Sequence, residues 1–349
     1  MDREKEIIRL FPAKLKGALQ SACLDYDNIR EIRLRANRPV QIIGGSHMYY
    51  LSGSGNLTSR EELGYVVTKE ELRETMELAG NYSLYAYEEE LREGFLTVEG
   101  GHRIGVAGKV IYDGRRILGM KYITSVNVRV AHEVKGCARL LLPLLMENGQ
   151  LCHTLMISPP GCGKTTLLRD LIRLLAGGAE EGQAYTRDGN AAAYKDGTKS
   201  VEKCEKCEKW GMTQPLTVGV VDERGEIAGS YRGIPTCDLG VSCDVLDGCP
   251  KAEGMRMLLR SMAPDVLAVD EIGRPEDVES IAYASCCGCR VLATMHGSSM
   301  EELEKKPFCK KFLEDHIFDR YVFLEMGETP GRIRQILDGN GKPVRLPDS

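Results

Sequence analysis

The sequence lacks a long hydrophobic run. Its 349 residues contain no stretch of about 18 consecutive apolar residues of the kind that spans a bilayer. The first residues, Met1 to Glu6, are charged and do not form the apolar centre of a signal peptide. We therefore expect a cytoplasmic protein that has no membrane-spanning helix.

A basic excess is also absent. The chain has 46 Lys and Arg against 51 Asp and Glu, which gives a net charge of −5. Proteins that bind nucleic acid usually carry a basic excess or a basic stripe. The charge balance therefore argues against DNA or RNA as a substrate, and we expect no nucleic-acid partner.

The cysteines lack the spacing of a metal site. There are 13 of them, scattered along the chain, and in a cytosolic protein they are expected to be reduced thiols. Cys204 and Cys207 form a single C-x-x-C pair without a second pair at zinc-finger spacing. The spacing of the cysteines therefore predicts no thiolate metal centre, and whether Cys204 and Cys207 bind metal stays open.

Length and composition indicate two domains in a globular protein. Hydrophobic residues make up 42% and charged residues 28% of the chain. We expect an N-terminal α+β domain at residues 1–139, in which Thr68 to Glu71 forms a capping box that opens a helix. Strands are predicted there at Ile32–Arg35, Pro39–Gly44, Phe95–Val98, Arg103–Ala107 and Val126–Val130.

Residues 140–349 have a different pattern, in which short, fully apolar strands alternate with helical segments. This pattern predicts a parallel sheet covered on both faces. The strands are predicted at Leu155–Ile157, Val218–Val221, Val266–Val269 and Val291–Ala293. Residues 178–214, rich in Lys, Glu and Cys, lack an apolar period and are interpreted as a polar surface insertion without a catalytic role.

The most informative motif follows the first of these strands and precedes an amphipathic helix. Strand, glycine-bearing loop and helix in this order predict a phosphate-binding P-loop, whose backbone N–H groups face phosphate oxygens. Lys164 would reach the β- and γ-phosphates, and the Thr165 hydroxyl would bind Mg²⁺. Serine stands at the position of the usual first glycine. The predicted nucleotide-binding residues are Ser158, Pro159, Pro160, Gly161, Cys162, Gly163, Lys164, Thr165 and Thr166.

Three further strands end in polar residues that suit an ATPase site, because the carboxyl ends of parallel strands face the ligand crevice. Asp270 is placed to hold Mg²⁺, and Glu271 to orient and deprotonate the attacking water.

Asp222 or Glu223 could share metal or water positioning, although a charged turn is the alternative there. Thr294 and His296 could sense the γ-phosphate or couple it to a neighbouring domain.

The order of P-loop, acidic strand end, Asp-Glu and Ala-Thr-Met-His-Gly resembles the secretion ATPase superfamily of type II and type IV systems. Within it, further segments resemble the stage III sporulation protein AA family over nearly the whole chain, apart from residues 178–214 and Ser158. These segments are Tyr82–Glu90, Val134–Ala138, Val221–Arg224, Tyr231–Pro235, Asp244–Lys251 and Phe318–Val322.

The resemblance implies a RecA-like P-loop NTPase core of the α/β class with a smaller α+β N-terminal domain. It implies a ring ATPase, a hexamer, that uses ATP and Mg²⁺ at a channel between mother cell and forespore. Small membrane proteins would be its partners, holding it at the cytoplasmic face of the forespore outer membrane. We also group the chain with the AAA+ ATPases.

Arg103 and Arg129 are candidates for phosphate contacts, with surface ion pairing as the alternative role.

Two other classes remain open. Asp270 to Gly273 fits the D-x-x-G pattern of a GTPase, but the chain has no N-K-x-D segment, and no acceptor pocket or lid of a kinase is identifiable. A RecA-like motor on nucleic acid would need basic and aromatic stripes that the composition does not show.

Cys162 carries a separate hypothesis. Its place at a helix N-terminus near Lys164 favours a thiolate that nucleotide would protect. The alternative is a side chain that points into the core.

Overall fold

The computed structural model describes two units, each with its own sheet. The first comprises Met1–His132 together with Gly229–Cys237, and the second Glu133–Ala228 together with Asp238–Ser349. The residues described are 3–45, 47–81, 88–114, 116–178, 214–327 and 329–344.

The first unit is built on an antiparallel sheet of seven strands in the order β4-β3-β2-β1-β7-β6-β5. All five strands predicted from the sequence are confirmed, because alternating apolar residues bury one face of each. The strands are β1 Ile29–Arg35, β2 Gln41–Gly44, β3 His47–Leu51, β4 Leu57–Thr58, β5 Phe95–Val98, β6 His102–Asp113 and β7 Arg116–Arg129.

Helices supply the rest of this unit's core. They are α1 Arg3–Ile8, α2 Ala13–Ser21, α3 Lys69–Ala79 and α4 Glu88–Glu93. The predicted capping box opens α3: Thr68 Oγ1 accepts a hydrogen bond from the Glu71 amide at 3.1 Å, and Glu71 Oε2 accepts one from the Thr68 amide at 2.9 Å. The helix buries Leu72, Met76 and Ala79, the face that its periodicity predicts.

The segment Gly229–Cys237 belongs to the first unit although both its neighbours in sequence belong to the second. Within the first unit, the Tyr231 hydroxyl accepts a hydrogen bond from Asn81 Nδ2 at 2.7 Å. A Cβ at Gly101 would lie 3.4 Å from the Gly229 carbonyl oxygen, so the two backbones meet closely. Nothing in the sequence pattern predicts this excursion of the chain.

The second unit contains a seven-stranded sheet in the order β12-β11-β13-β14-β10-β15-β16. It is parallel except for β16, which pairs antiparallel with β15. The four strands predicted from apolar runs are confirmed. A short hairpin, β8 Met146–Glu147 and β9 Gln150–Leu151, precedes the sheet, whose strands are β10 Thr154–Ser158, β11 Val218–Asp222, β12 Cys243–Asp247, β13 Val266–Val269, β14 Arg290–His296, β15 Arg320–Leu324 and β16 Ile333–Asp338.

Both faces of this sheet are covered. Met156 contributes to the apolar cluster on one face, which includes residues of α5, whereas its neighbours Leu155 and Ile157 contribute to the cluster on the other. The helices are α5 Lys164–Leu175, α6 Lys251–Ser261, α7 Pro275–Cys286, α8 Met300–Lys305 and α9 Cys309–Glu314. The edge strand β12 was not predicted from the sequence, because it is only half-buried and has no continuous apolar run.

The expectations for two segments lie outside the described residues. They are the polar insertion at 178–214, apart from Gly178 and Gln214, and the aromatic segment Tyr82–Tyr87. Cys204 and Cys207 fall within the former. Across the described part of the chain, no helix has both the length and the apolar composition that a bilayer crossing requires.

A buried ion pair lies on α5. Asp170 and Arg173 are each about 2% exposed, and Asp170 Oδ1 accepts from Arg173 Nε at 2.8 Å and from Nη2 at 2.6 Å. Asp170 Oδ2 also accepts from the Ala138 amide at 2.8 Å. The carboxylate therefore joins the helix to the segment that leads into the second unit.

We predict that Asp170→Ala destabilises the second unit by about 3–5 kcal/mol, because it removes a buried carboxylate that pairs with the Arg173 guanidinium and accepts from the Ala138 amide. Denaturant unfolding followed by circular dichroism measures this loss. Glu77→Ala on α3 is the control, since its pair with Arg73 is exposed and should contribute less than about 1 kcal/mol. Equal effects of the two substitutions would contradict the prediction.

Candidate nucleotide-binding site

Two glycines shape the loop between β10 and α5 for different reasons. Gly161 has φ 81°, and a Cβ there would meet no atom within 4 Å, so the loop is open at this point. Gly163 has φ 85°, and a Cβ there would lie 2.6 Å from the Gly331 nitrogen. The Gly331 amide donates to the Cys162 carbonyl at 2.8 Å. One glycine thus leaves space, and the other allows the β15–β16 loop to approach.

Ser158 replaces the usual first glycine without distorting the loop. It is the last residue of β10 and pairs in register with His296 of β14. Strand geometry is available to any residue, so no glycine is required at this position. Pro159, Pro160 and Gly161 are exposed beyond it.

Lys164 is buried under the loop and touches its backbone. Its Nζ lies 3.3 Å from the Ser158 carbonyl oxygen, 3.5 Å from the Pro159 carbonyl oxygen and 3.1 Å from His296 Nδ1. Burial lowers the pKa of Lys164, while the carboxylates of Asp270 and Glu271 act in the opposite direction. The ammonium group is thus partly desolvated and surrounded by acceptors that an anionic ligand could replace.

Asp270 joins the P-loop helix to two strands. Its Oδ2 accepts a hydrogen bond from Thr165 Oγ1 at 2.5 Å, and its Oδ1 accepts one from Thr294 Oγ1. Burial raises the pKa of Asp270, and the two hydroxyl donors act against that rise. The Thr165 hydroxyl and the Asp270 carboxylate are oxygen ligands of the kind that Mg²⁺ prefers, so these residues fit the ion predicted at this place.

Glu271 follows in a left-handed backbone conformation, with φ 53°. Its amide donates to Thr294 Oγ1 at 2.9 Å and to Asp270 Oδ1 at 3.1 Å, which holds the residue in this uncommon conformation. Its carboxylate lies 2.9 Å from His296 Nε2 and 3.1 Å from Arg224 Nη1. Both oxygens of the expected base are therefore engaged in the described state.

His296 bridges the lysine and the glutamate. An ammonium group can only donate, so the contact with Lys164 makes Nδ1 of His296 the acceptor. Nε2 then carries the proton and donates to Glu271 Oε1. One chain of contacts connects the P-loop lysine to the carboxylate at the end of β13.

The two acidic residues at the end of β11 have separate partners. Asp222, about 2% exposed, accepts hydrogen bonds from the amides of Glu226, Ile227 and Ala228 at 2.8–3.0 Å. This carboxylate is the anchor of a turn. Glu223 pairs with Lys251 and lies 3.9 Å from Arg274 Nη1. The structure thus brings Thr165, Asp270, Glu271 and His296 together and places Asp222 and Glu223 in other interactions.

The arginines proposed for phosphate contacts lie in the first unit. The Arg103 guanidinium stacks on the Phe95 ring, 4.6 Å from its centroid, and Arg129 is exposed near the end of β7. A role toward nucleotide stays a prediction for both. The sequence reasoning missed Arg224 as a partner of Glu271, although it directly follows the acidic pair at the end of β11.

The helix that follows the loop fits an anion. Gly163 is the N-cap of α5 and offers no side-chain acceptor to the first N–H groups of the helix. Such amides are available to phosphate oxygens. Residues of the described loop and strand ends therefore fit both parts of a Mg²⁺–nucleotide complex.

Comparison with solved structures defines the class of fold. The Legionella pneumophila ATPase DotB aligns with a TM-score of 0.53 and 14% identity, over 94% of this chain and 80% of that chain. The pilus retraction motor PilT with bound ADP aligns with a TM-score of 0.53 and 14% identity, over 99% and 84%. The fold is therefore that of the secretion ATPases, an α/β RecA-like core with a second α+β unit, and the predicted fold class is confirmed.

The chain belongs to the family described as sporulation stage III, protein AA. The family model matches residues 1–344. Stage III sporulation protein AA of Bacillus subtilis (strain 168) is 39% identical over 337 residues, which cover 96% of this chain and 95% of that protein. The resemblance inferred from the motifs is confirmed. Because secretion ATPases form a superfamily separate from AAA+, the AAA+ grouping is not supported.

The structure favours the core-facing alternative for Cys162. Its side chain is 4% exposed and belongs to the apolar cluster that contains residues of α5. Cys286 and Cys287, by contrast, are exposed at the end of α7. The hypothesis of a reactive thiolate under the nucleotide is therefore replaced by that of a packing residue.

We predict that brief iodoacetamide treatment modifies Cys286 and Cys287 while leaving Cys162 unmodified, with or without Mg-ATP. Peptide mass spectrometry measures the labelling. Cys243 and Cys289 serve as internal controls, because burial raises the pKa of each to about 12 and keeps the thiol protonated at neutral pH. Rapid labelling of Cys162 that Mg-ATP prevents would contradict this assignment.

Proposed function

We propose that this chain binds and hydrolyses Mg-ATP as a secretion-type motor that acts in sporulation. The observation that carries the proposal is the convergence of the P-loop with the ends of β13 and β14. Thr165 and Asp270 are joined there by a hydrogen bond of 2.5 Å, and Glu271 and His296 by one of 2.9 Å. Family membership supports the sporulation role, and the DotB and PilT folds support the motor architecture.

The residues divide the work according to their chemistry. The loop amides and Lys164 would bind the phosphates, and the backbone of Ser158 to Thr166 would wrap them. Thr165 and Asp270 would hold Mg²⁺, which neutralises negative charge on the phosphates. Glu271 would accept a proton from the attacking water, and His296, once released by Lys164 and protonated on Nδ1, would donate a hydrogen bond to phosphate.

Assembly and location form the second level of the proposal. The chain would act as a homo-oligomeric ring, a hexamer, on the cytoplasmic side of a channel between mother cell and forespore. Its association with the membrane would run through small membrane proteins of that channel. Glu223 is a further candidate catalytic residue. It would first have to separate from Lys251, with which it forms an ion pair.

We predict that Lys164→Ala reduces ATP turnover at least 100-fold, since it removes the ammonium group beneath the loop.

Glu271→Gln should retain Mg-ATP binding and lower kcat by about 10²–10⁴-fold, because an amide keeps the shape but cannot accept the proton. Phosphate release measures turnover, and fluorescent ATP analogues measure binding. The controls are Lys310→Ala and Glu279→Gln, which change exposed residues on α9 and α7.

Wild-type turnover in Lys164→Ala would show that the site is elsewhere. Full activity in Glu271→Gln, together with loss of activity in Glu223→Gln, would move the base to the end of β11.

We also predict that Mg-ATP shifts the purified chain from lower oligomers to a six-fold mass, because nucleotide at the strand ends would order the surface that a neighbour contacts. Native mass spectrometry at fixed protein concentration measures this. The Glu271→Gln variant should form the hexamer in the presence of Mg-ATP, whereas the Lys164→Ala variant should not. A monomer under all conditions would rule out the ring.

A further inference from the structure

Arg224 is an arginine at the edge of the site that no motif assignment explains. It follows Glu223 on the turn after β11, and its Nη1 lies 3.1 Å from Glu271 Oε2. The side chain is 63% exposed, whereas that of Glu271 is 27% exposed. An exposed pair of this kind contributes little to folding stability, so its geometry calls for another explanation.

The backbone that carries Arg224 is held from two sides. Asp222 accepts hydrogen bonds from the amides of Glu226, Ile227 and Ala228. Arg169 of α5 donates from Nε to the Ile227 carbonyl at 2.7 Å and from Nη2 to the Glu226 carbonyl at 2.7 Å. Hydrogen bonds thus join the turn that carries Arg224 both to the end of β11 and to the P-loop helix.

The backbone of Glu271 is held equally firmly. Its left-handed conformation is supported by the hydrogen bonds from its amide to Thr294 and Asp270. What remains free to turn is the side chain, and a carboxylate on rotatable bonds must be oriented before it can accept a proton from one defined water. The contacts of its two oxygens therefore decide where it points.

Those two contacts differ in their relation to the P-loop. His296 donates to Oε1 from Nε2 and accepts from Lys164 through Nδ1, so phosphate that engages the lysine removes the donor that holds the imidazole ring in place. Arg224 holds Oε2 and reaches the carboxylate from the turn after β11. The Arg224 contact can therefore persist while Oε1 is released toward water.

We propose that Arg224 is a positioning residue for Glu271: it fixes one carboxylate oxygen so that the other faces the attacking water. This inference rests on the proposed ATP hydrolysis. It also gives Asp222 and Arg169 a role, since both hold the turn that delivers the guanidinium. Arg224 itself need not touch the nucleotide.

The test compares kcat and nucleotide affinity. Arg224→Ala should lower kcat about tenfold and leave the dissociation constant for Mg-ATP and the thermal unfolding midpoint unchanged. Arg224→Lys should recover most of the rate, because a cation can still reach Oε2. Arg274→Ala is the matched control: it removes the same charge from a 69% exposed side chain close to Glu223 and should keep the wild-type kcat.

A double-mutant cycle gives the sharpest readout. If Arg224 acts through Glu271, then adding Arg224→Ala to Glu271→Gln should cause no further loss of the residual rate. A wild-type kcat in Arg224→Ala, an equal loss in Arg274→Ala, or an additive loss in the double variant would overturn the inference while leaving the ATPase proposal intact. Absence of turnover in the wild-type chain would overturn both.

Discussion

The hydrogen bonds accepted by the Asp270 carboxylate are the interaction on which the site depends. Two hydroxyls donate to it, those of Thr165 on the P-loop helix and Thr294 on β14, and the Glu271 amide adds a third hydrogen bond, so a single side chain joins the helix to two adjacent strands. The contacts are possible because β13, β14 and β10 are parallel neighbours, whose carboxyl ends lie at one edge of the sheet. Burial alone raises the pKa of this carboxyl, and the two hydroxyls partly offset that effect.

Lys164 and Glu271 each have contacts with other groups of the protein. The lysine is in contact with loop carbonyls and His296, and the carboxylate of Glu271 with His296 and Arg224. Each group that the proposed reaction uses has a partner within the protein. In the proposed function, binding of phosphate would replace some of these partners, and the exchange would couple nucleotide occupancy to the orientation of the base.

The turn after β11 connects this site to a further feature of the fold. Residues 226–228 are anchored by Asp222, and from Gly229 the chain joins the first unit until Cys237. The chain also passes from the first unit to the second after His132 and after Cys237. Lys135 and Asp238, which lie just beyond these two passages, form an ion pair of 2.7 Å within the second unit. Arg224 lies only a few residues before the passage into the first unit at Gly229.

The sequence alone was enough to determine many of the local elements. Fully apolar runs predicted β10, β11, β13 and β14, the capping box predicted the start of α3, and glycine spacing with Lys164 and Thr165 predicted the phosphate loop. These features depend on neighbouring residues, whose periodicity and backbone preferences are visible in one dimension. The half-buried edge strand β12 and the excursion at Gly229–Cys237 were not predictable, because contacts distant in sequence stabilise both.

Only the tertiary structure decided how side chains of similar type divide their roles. Asp222 and Asp270 both end apolar strands, yet one anchors a turn through three amides and the other faces Thr165. Cys162 lies near Lys164 at the N-terminus of a helix, a position that favours a thiolate, yet its side chain packs into the core. Arg224 became recognisable only through its distance to Glu271. Direction and burial arise from how the strands are ordered across the sheet, and residues far apart in the chain set that order.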